Sequence, residues 1–139
     1  MPCLDSVARY RVQKIQNSCL RLVYGVRRGN HLSPYLLDSG WLNMFNRSRL
    51  HMATFYFKLL TNRSQTYLCQ KVVFRADVHN INLHTKISLT VPKHRKEIFK
   101  RSFSYNITRL INTFNNFNND QSPSTFKCMF KRQLLLSQV

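Results

Sequence analysis

The sequence predicts a mainly α fold: a single helical domain over residues 1–139, with room for a small antiparallel β-ribbon at about residues 86–104. Three observations lead there. Apolar residues recur at steps of three and four along several long stretches, the signature of helices with one buried face. Only three glycines and four prolines punctuate the 139 residues, which leaves few tight loops. Hydrophobic residues make up 43% of the chain and aromatics 12%, too much core material for a disordered basic tail.

The first helix is predicted from Leu4 to Val26, where Ala8, Val12, Ile15, Cys19, Leu22 and Val26 mark an apolar stripe. Lys14, Arg21 and Arg28, with Asn17 between them, stand on the roughly opposite side. Gly25 and the run Arg27-Arg28-Gly29-Asn30 end it. Ser33-Pro34 reads as an N-cap and first helical residue, and Gly40 as a left-handed stop. Asn43 can cap a helix over Met44 to Leu60 that is apolar nearly all round. Leu50, Ala53, Phe57 and Leu60 form one face, Phe45, Met52, Tyr56 and Leu59 another, and Arg47, His51, Thr54 and Lys58 a narrow polar stripe. It is predicted to be the central helix of the core.

A short helix follows around Thr66 to Val73, then an extended loop from Arg75 to His84. Ile87, Leu89 and Val91 alternate with Ser88 and Thr90 in the period-two pattern of a strand, which Pro92 ends. A second strand near Phe99 to Ser104 could pair with it. Tyr105 to Phe114 is helical, with Ile107, Leu110, Ile111 and Phe114 on one side. An asparagine-rich turn leads to Ser122-Pro123-Ser124 and a last helix faced by Phe126, Met129, Phe130 and Leu134.

Charge narrows the function. Twenty-two Lys and Arg stand against five Asp and Glu, a formal +17. Like charges oppose compaction, so the excess points to a polyanionic partner, for which nucleic acid (RNA, RNA–DNA hybrid or DNA) is the first candidate. Ten of the cations fall in residues 1–70 and twelve in 71–139, so the charge belongs to the fold and not to a tail. The densest run is Lys93, His94, Arg95, Lys96, then Lys100 and Arg101, flanked by Phe99, Phe103 and Tyr105. Cations there can neutralise phosphates, with aromatic rings nearby for stacking, though a Phe in a small domain usually packs inward. The predicted nucleic-acid contacts are Lys14, Arg21 and Arg28 on the first helix, with Lys93, Arg95, Lys96, Lys100 and Arg101 in the ribbon.

Catalysis is not expected. Metal-dependent phosphoryl chemistry needs clustered carboxylates, and Asp5, Asp38, Asp77, Glu97 and Asp120 are isolated. No phosphate loop, serine elbow or His-Glu-x-x-His segment occurs. Cys3, Cys19, Cys69 and Cys128 show no paired spacing and read as reduced thiols in or near the core. His79 and His84 have the spacing of half a zinc finger without the cysteine pair, so no metal or other cofactor is predicted. No leader and no membrane-length apolar run is visible, and the basic helix lacks a wide aromatic side for lipid, so the sequence predicts an intracellular protein without a membrane partner.

The order of the pieces resembles a known family. Val12 through Arg21, then Tyr24-Gly25 and Arg27-Arg28, is similar to a stretch near the C-terminal end of the reverse transcriptases of non-LTR (LINE-type) retrotransposons, particularly those of insects and other invertebrates. The likeness runs on through His31-Leu32-Ser33-Pro34-Tyr35, Gly40-Trp41-Leu42, Arg47 with Leu50-His51, Tyr67-Leu68, and Arg75 with His79-Asn80. Val91-Pro92 with Arg95, Ser102-Phe103-Ser104-Tyr105, Arg109-Leu110 with Asn112, and Pro123-Ser124-Thr125-Phe126-Lys127 complete it. The resemblance implies a helical thumb-like and post-thumb segment that touches template RNA or primer–template duplex, with the rest of a reverse transcriptase as a further partner. The palm's Asp-Asp motif is absent, so it implies no autonomous catalysis. Leu110-Ile111-Asn112 stands where the family usually has Leu-Trp-Asn. Two other readings fit the same residues: a degenerate transposon remnant without activity, and a basic module that binds an acidic protein.

Overall fold

The computed structural model describes residues 6–62, 65–78, 88–114 and 122–137. The fold is mainly α, with seven α-helices and no strand among the described residues. They are α1 (Ser6–Tyr24), α2 (Ser33–Asp38), α3 (Met44–Asn62), α4 (Thr66–Gln70), α5 (Arg75–Val78), α6 (Phe103–Thr113) and α7 (Pro123–Leu136), with a 3-10 helix at Glu97–Arg101 before α6. The chain sorts into two compact units, one of residues 3–51 and 124–139 and one of residues 52–123.

In the first unit, glycine sets both early helix ends. Gly25 takes a φ of 61°, and the amide of Val26 reaches back to the Arg21 carbonyl at 3.0 Å. Gly40 repeats the device: its φ is 61°, Trp41 N–H bonds Leu36 O at 3.0 Å and Gly40 N–H bonds Leu37 O at 3.0 Å. Only a residue without Cβ adopts this backbone freely, so both stops were legible. The chain beyond Gly25 brings α2 back on α1, and Leu20, Val26 and Leu32 are buried together with Tyr24, Tyr35 and Leu36 packed around them. Ser33 opens α2 as its first residue, and the backbone cap is Leu32, without a side-chain bond.

The buried face of α1 is not the predicted one. Gln16 and Leu20 are buried, while Ile15, Cys19, Leu22 and Val23 are exposed. An amide network explains the rotation. The Gln16 side chain donates to Leu42 O at 2.8 Å, and Gln13 Oε1 accepts the Met44 amide at 2.8 Å. Gln13 Nε2 also donates to Gln16 Oε1 at 3.0 Å and Asn17 Oδ1 at 2.9 Å. These groups satisfy backbone atoms at the entrance to α3, whose first turns have no internal partner for their amides. Asn43 completes the cap by accepting the Asn46 amide at 2.8 Å. Asn46 is itself buried and donates to Leu134 O at 3.3 Å. On α7, Phe126, Phe130 and Leu134 are buried at four-residue steps, and Met129 is exposed.

In the second unit, Ala53, Tyr56, Phe57 and Leu59 of α3 are buried on two sides, as the central-helix reading requires. His51, Lys58 and Arg47 of its polar stripe are exposed along the length of the helix. Burial pushes the Tyr56 phenol well above its ordinary range. On α6, Ile107, Leu110 and Ile111 are buried with Tyr105 and Thr108. Phe55 meets Phe103 edge-on at 5.4 Å.

The β-ribbon is replaced by something smaller. Leu89 forms one antiparallel bridge, with Phe74, through Arg75 N–H to Ser88 O at 2.9 Å and Thr90 N–H to Val73 O at 2.8 Å. The backbone of Leu89 points the other way and meets the Asn112 amide, which accepts from Leu89 N–H at 2.8 Å and donates to Leu89 O at 2.9 Å. One side chain thus does the work of a neighbouring strand. Residues 99–104, predicted as the partner strand, are instead the end of the 3-10 helix and the start of α6, where Ser102 accepts the Tyr105 amide as N-cap. Residues Arg75–Val78, read as loop, make one helical turn. Residues 86–87 of the ribbon, and His79 and His84, lie outside the described residues.

Candidate nucleic-acid interface

The eight predicted contact residues divide between the two units, three in the first and five in the second. In the first unit, Lys14 is exposed with its ammonium 4.6 Å from the centre of the Tyr10 ring. Arg28 is exposed in the turn after α1. Arg21 is half-buried, because its guanidinium donates to Arg27 O and, at 3.1 Å, to Asn30 O. It staples the turn that presents Arg28. Helix α1 carries no Asp or Glu, and its exposed residues mix the cations Arg9, Arg11 and Lys14 with the apolar Val7, Ile15, Leu22 and Val23.

The second patch is built around the segment that was read as a ribbon. Lys93, Arg95, Lys96 and Arg101 are exposed, and Lys100 is half-buried. The 3-10 helix packs on α6. Asn106 of α6 fixes its end by donating to Lys100 O at 2.7 Å and Ser102 O at 2.9 Å. The one carboxylate in the patch, Glu97, accepts from Lys100 Nζ. That hydrogen bond holds the Glu97 carboxyl below its ordinary value and raises the Lys100 ammonium above its own. Lys100 is therefore partly neutralised, and Arg109 opposes its charge from α6.

The aromatics divide. Tyr105 is buried and Phe103 is half-buried, edge-on to the exposed Phe55, while Phe99 keeps 37% of its surface exposed and Ile98 72%. His94 lies edge-on to Tyr105 at 5.0 Å and nearly parallel to Phe99, at 8° and 6.4 Å between ring centres. Arg109 stands over the other part of this cluster, 5.9 Å from the Tyr105 ring centre. Sequence reasoning missed Arg109 as a member of the patch. Its spacing of four from Tyr105 on one helix was the available signal. The loop thus presents a short cationic surface with two exposed rings on a base anchored by Asn106, Ser102 and Tyr105.

Among the described residues the thiols do not gather: Cys19 and Cys128 are free and exposed, and Cys69 is half-buried, with Sγ 3.8 Å from Leu59 O; Cys3 lies outside the described residues. Two of them therefore lie at the surface and not in the core. Among the described residues no three His, Cys, Asp or Glu side chains come together in metal-binding reach. No helix among the described residues is long and apolar enough to cross a membrane. Comparison of the chain with protein-family models, curated proteins and solved structures finds no match.

Proposed function

We propose that the chain binds RNA or an RNA–DNA template–primer through the phosphate backbone, as a non-catalytic segment resembling the C-terminal, thumb-like region of a non-LTR retrotransposon reverse transcriptase. The observation that carries this reading is the loop from Lys93 to Arg101, where five cations face one carboxylate and four of the five are exposed. Backbone binding needs cations at phosphate-like intervals on an anchored surface, and it needs no base-reading geometry. Lys14 and Arg28 extend the same chemistry to the first unit.

The test is affinity as a function of salt for matched single-stranded RNA, RNA–DNA hybrid and duplex DNA. If the eight cations neutralise six to eight phosphates, log affinity falls with log salt at a slope of about −5 to −7. Replacing Lys93, Arg95, Lys96, Lys100 and Arg101 by Gln should flatten the slope to about −3. An unchanged slope overturns the site assignment. A second reading, a module for an acidic protein, draws support from α1, where Ile15 (64% exposed) and Leu22 (85%) lie on a helix without acids. An acidic protein that displaces RNA and loses affinity on Leu22→Ser substitution would favour it.

A further inference from the structure

We propose that His94 and Phe99 form a stacking site for an unpaired nucleobase, so that the loop takes single-stranded nucleic acid in preference to continuous duplex. This rests on the nucleic-acid reading above and names the form of polymer that the second patch accepts.

The geometry of the two rings is the starting point. They are within 8° of parallel, yet their centres are 6.4 Å apart. Rings in full face contact sit about 3.5–4 Å apart, so this separation leaves ring face uncovered whether the rings are offset or spaced. Both residues are exposed, beside the buried Tyr105.

The platform is also held in place. His94 rests edge-on against the buried Tyr105, and the turn that carries Phe99 is tied to α6 through Asn106. Lys93, Arg95 and Lys96 flank His94, placing cations on either side of the ring in sequence. A base stacked on an aromatic ring with its phosphates on adjacent cations is the recurring arrangement of single-strand sites. A base inside a continuous duplex has both faces covered by its neighbours and offers none to the rings. Only an unpaired or terminal base can dock.

The experiment compares three short ligands of equal length: a single-stranded RNA, its fully paired duplex, and a strand with the same backbone but abasic sites. Protein variants are Phe99→Leu, Phe99→Trp and His94→Ala, each first shown to unfold cooperatively. Phe99→Leu and His94→Ala should weaken single-strand binding about tenfold, within the range for one stacked base, with the salt slope unchanged. Phe99→Trp should retain or tighten it. Duplex and abasic strand should bind all forms alike, and 2-aminopurine in the strand should be quenched only where the ring is aromatic. If the abasic strand binds as tightly as the base-bearing one, or the ring variants bind normally while the Gln substitutions flatten the slope, stacking is overturned and the backbone reading stands. If no ligand binds with a steep salt slope, the backbone reading fails and the stacking site fails with it.

Discussion

Helices α1 and α6 both carry a legible apolar periodicity, yet only α6 buries the stripe that the periodicity marks. Ile107, Leu110 and Ile111 are 0%, 5% and 4% exposed, whereas Ile15 and Leu22 of α1 are 64% and 85% exposed. The difference lies in what each helix must satisfy. α6 also serves fixed backbone atoms, through Asn106 and Asn112, but it does so with its apolar stripe buried. α1 must serve Leu42 O and the Met44 amide at the entrance to α3, and only a helix turned to present Gln13 and Gln16 can reach them. Apolar burial is non-directional and tolerates rotation; hydrogen bonds to fixed backbone atoms do not. Where the two compete, directional groups can choose the face.

The sharpest way to break this comparison is to truncate each stripe. Ile107→Ala should cost about 2–5 kcal/mol, the usual loss for a fully buried aliphatic side chain. Leu22→Ala should change stability by about 0.5 kcal/mol or less, as exposed substitutions do. Urea unfolding of the two variants decides it. Equal losses would mean that the α1 stripe is covered in solution and that the amide account of its rotation is wrong.

Next in size is Asn112. Alanine there leaves the N–H and C=O of Leu89 without partners beside a side chain that is fully buried, a loss of about 2–4 kcal/mol for two groups. Asn112→Asp should be nearly as damaging, because it offers an acceptor where Leu89 O needs a donor. Retention of stability in either variant would show that the bridge with Phe74 holds the segment unaided.

These two sites also show where the sequence could be read and where it could not. Helix ends at Gly25 and Gly40, the Asn43 cap, the two-sided burial of α3 and the core face of α6 all rest on local rules, and all were legible. The alternation around Leu89 was legible as extended backbone, but its partners were not. Phe74 and Asn112 are 15 and 23 residues away, and nothing local says that an amide side chain will stand in for a strand. The basic run at 93–101 was plain from composition. That Lys100 is engaged by Glu97, and that Arg109 joins the cluster, depends on the 3-10 turn folding onto α6.

A smaller effect tests the amide network from the other side. Gln16→Leu makes α1 more hydrophobic on the face that is in fact buried, so a reading from periodicity alone expects stabilisation. The structure expects a loss of about 1–2 kcal/mol, because Leu42 O loses its donor and Gln13 one of its partners. Thermal unfolding gives the sign directly, and a raised melting temperature would return the choice of face to area alone.

The smallest expected effect joins stability to binding at Glu97 and Lys100. The pair is exposed, so its contribution to stability is slight and screened by salt. Its direction is still defined. A carboxyl held below its unfolded value of about 4.3 stabilises the fold above that pH, and the contribution disappears as pH falls through the folded value. An NMR titration should find the Glu97 midpoint below the ordinary one and restored to it in Lys100→Gln. The consequence for binding is the opposite of the consequence for folding. Glu97→Gln releases Lys100 at neutral pH, so the fold should be almost unchanged while the salt slope for RNA steepens by up to about 1. An unaltered slope would mean that Lys100 faces no phosphate even when free. The contacts would then reduce to Lys93, Arg95, Lys96 and Arg101.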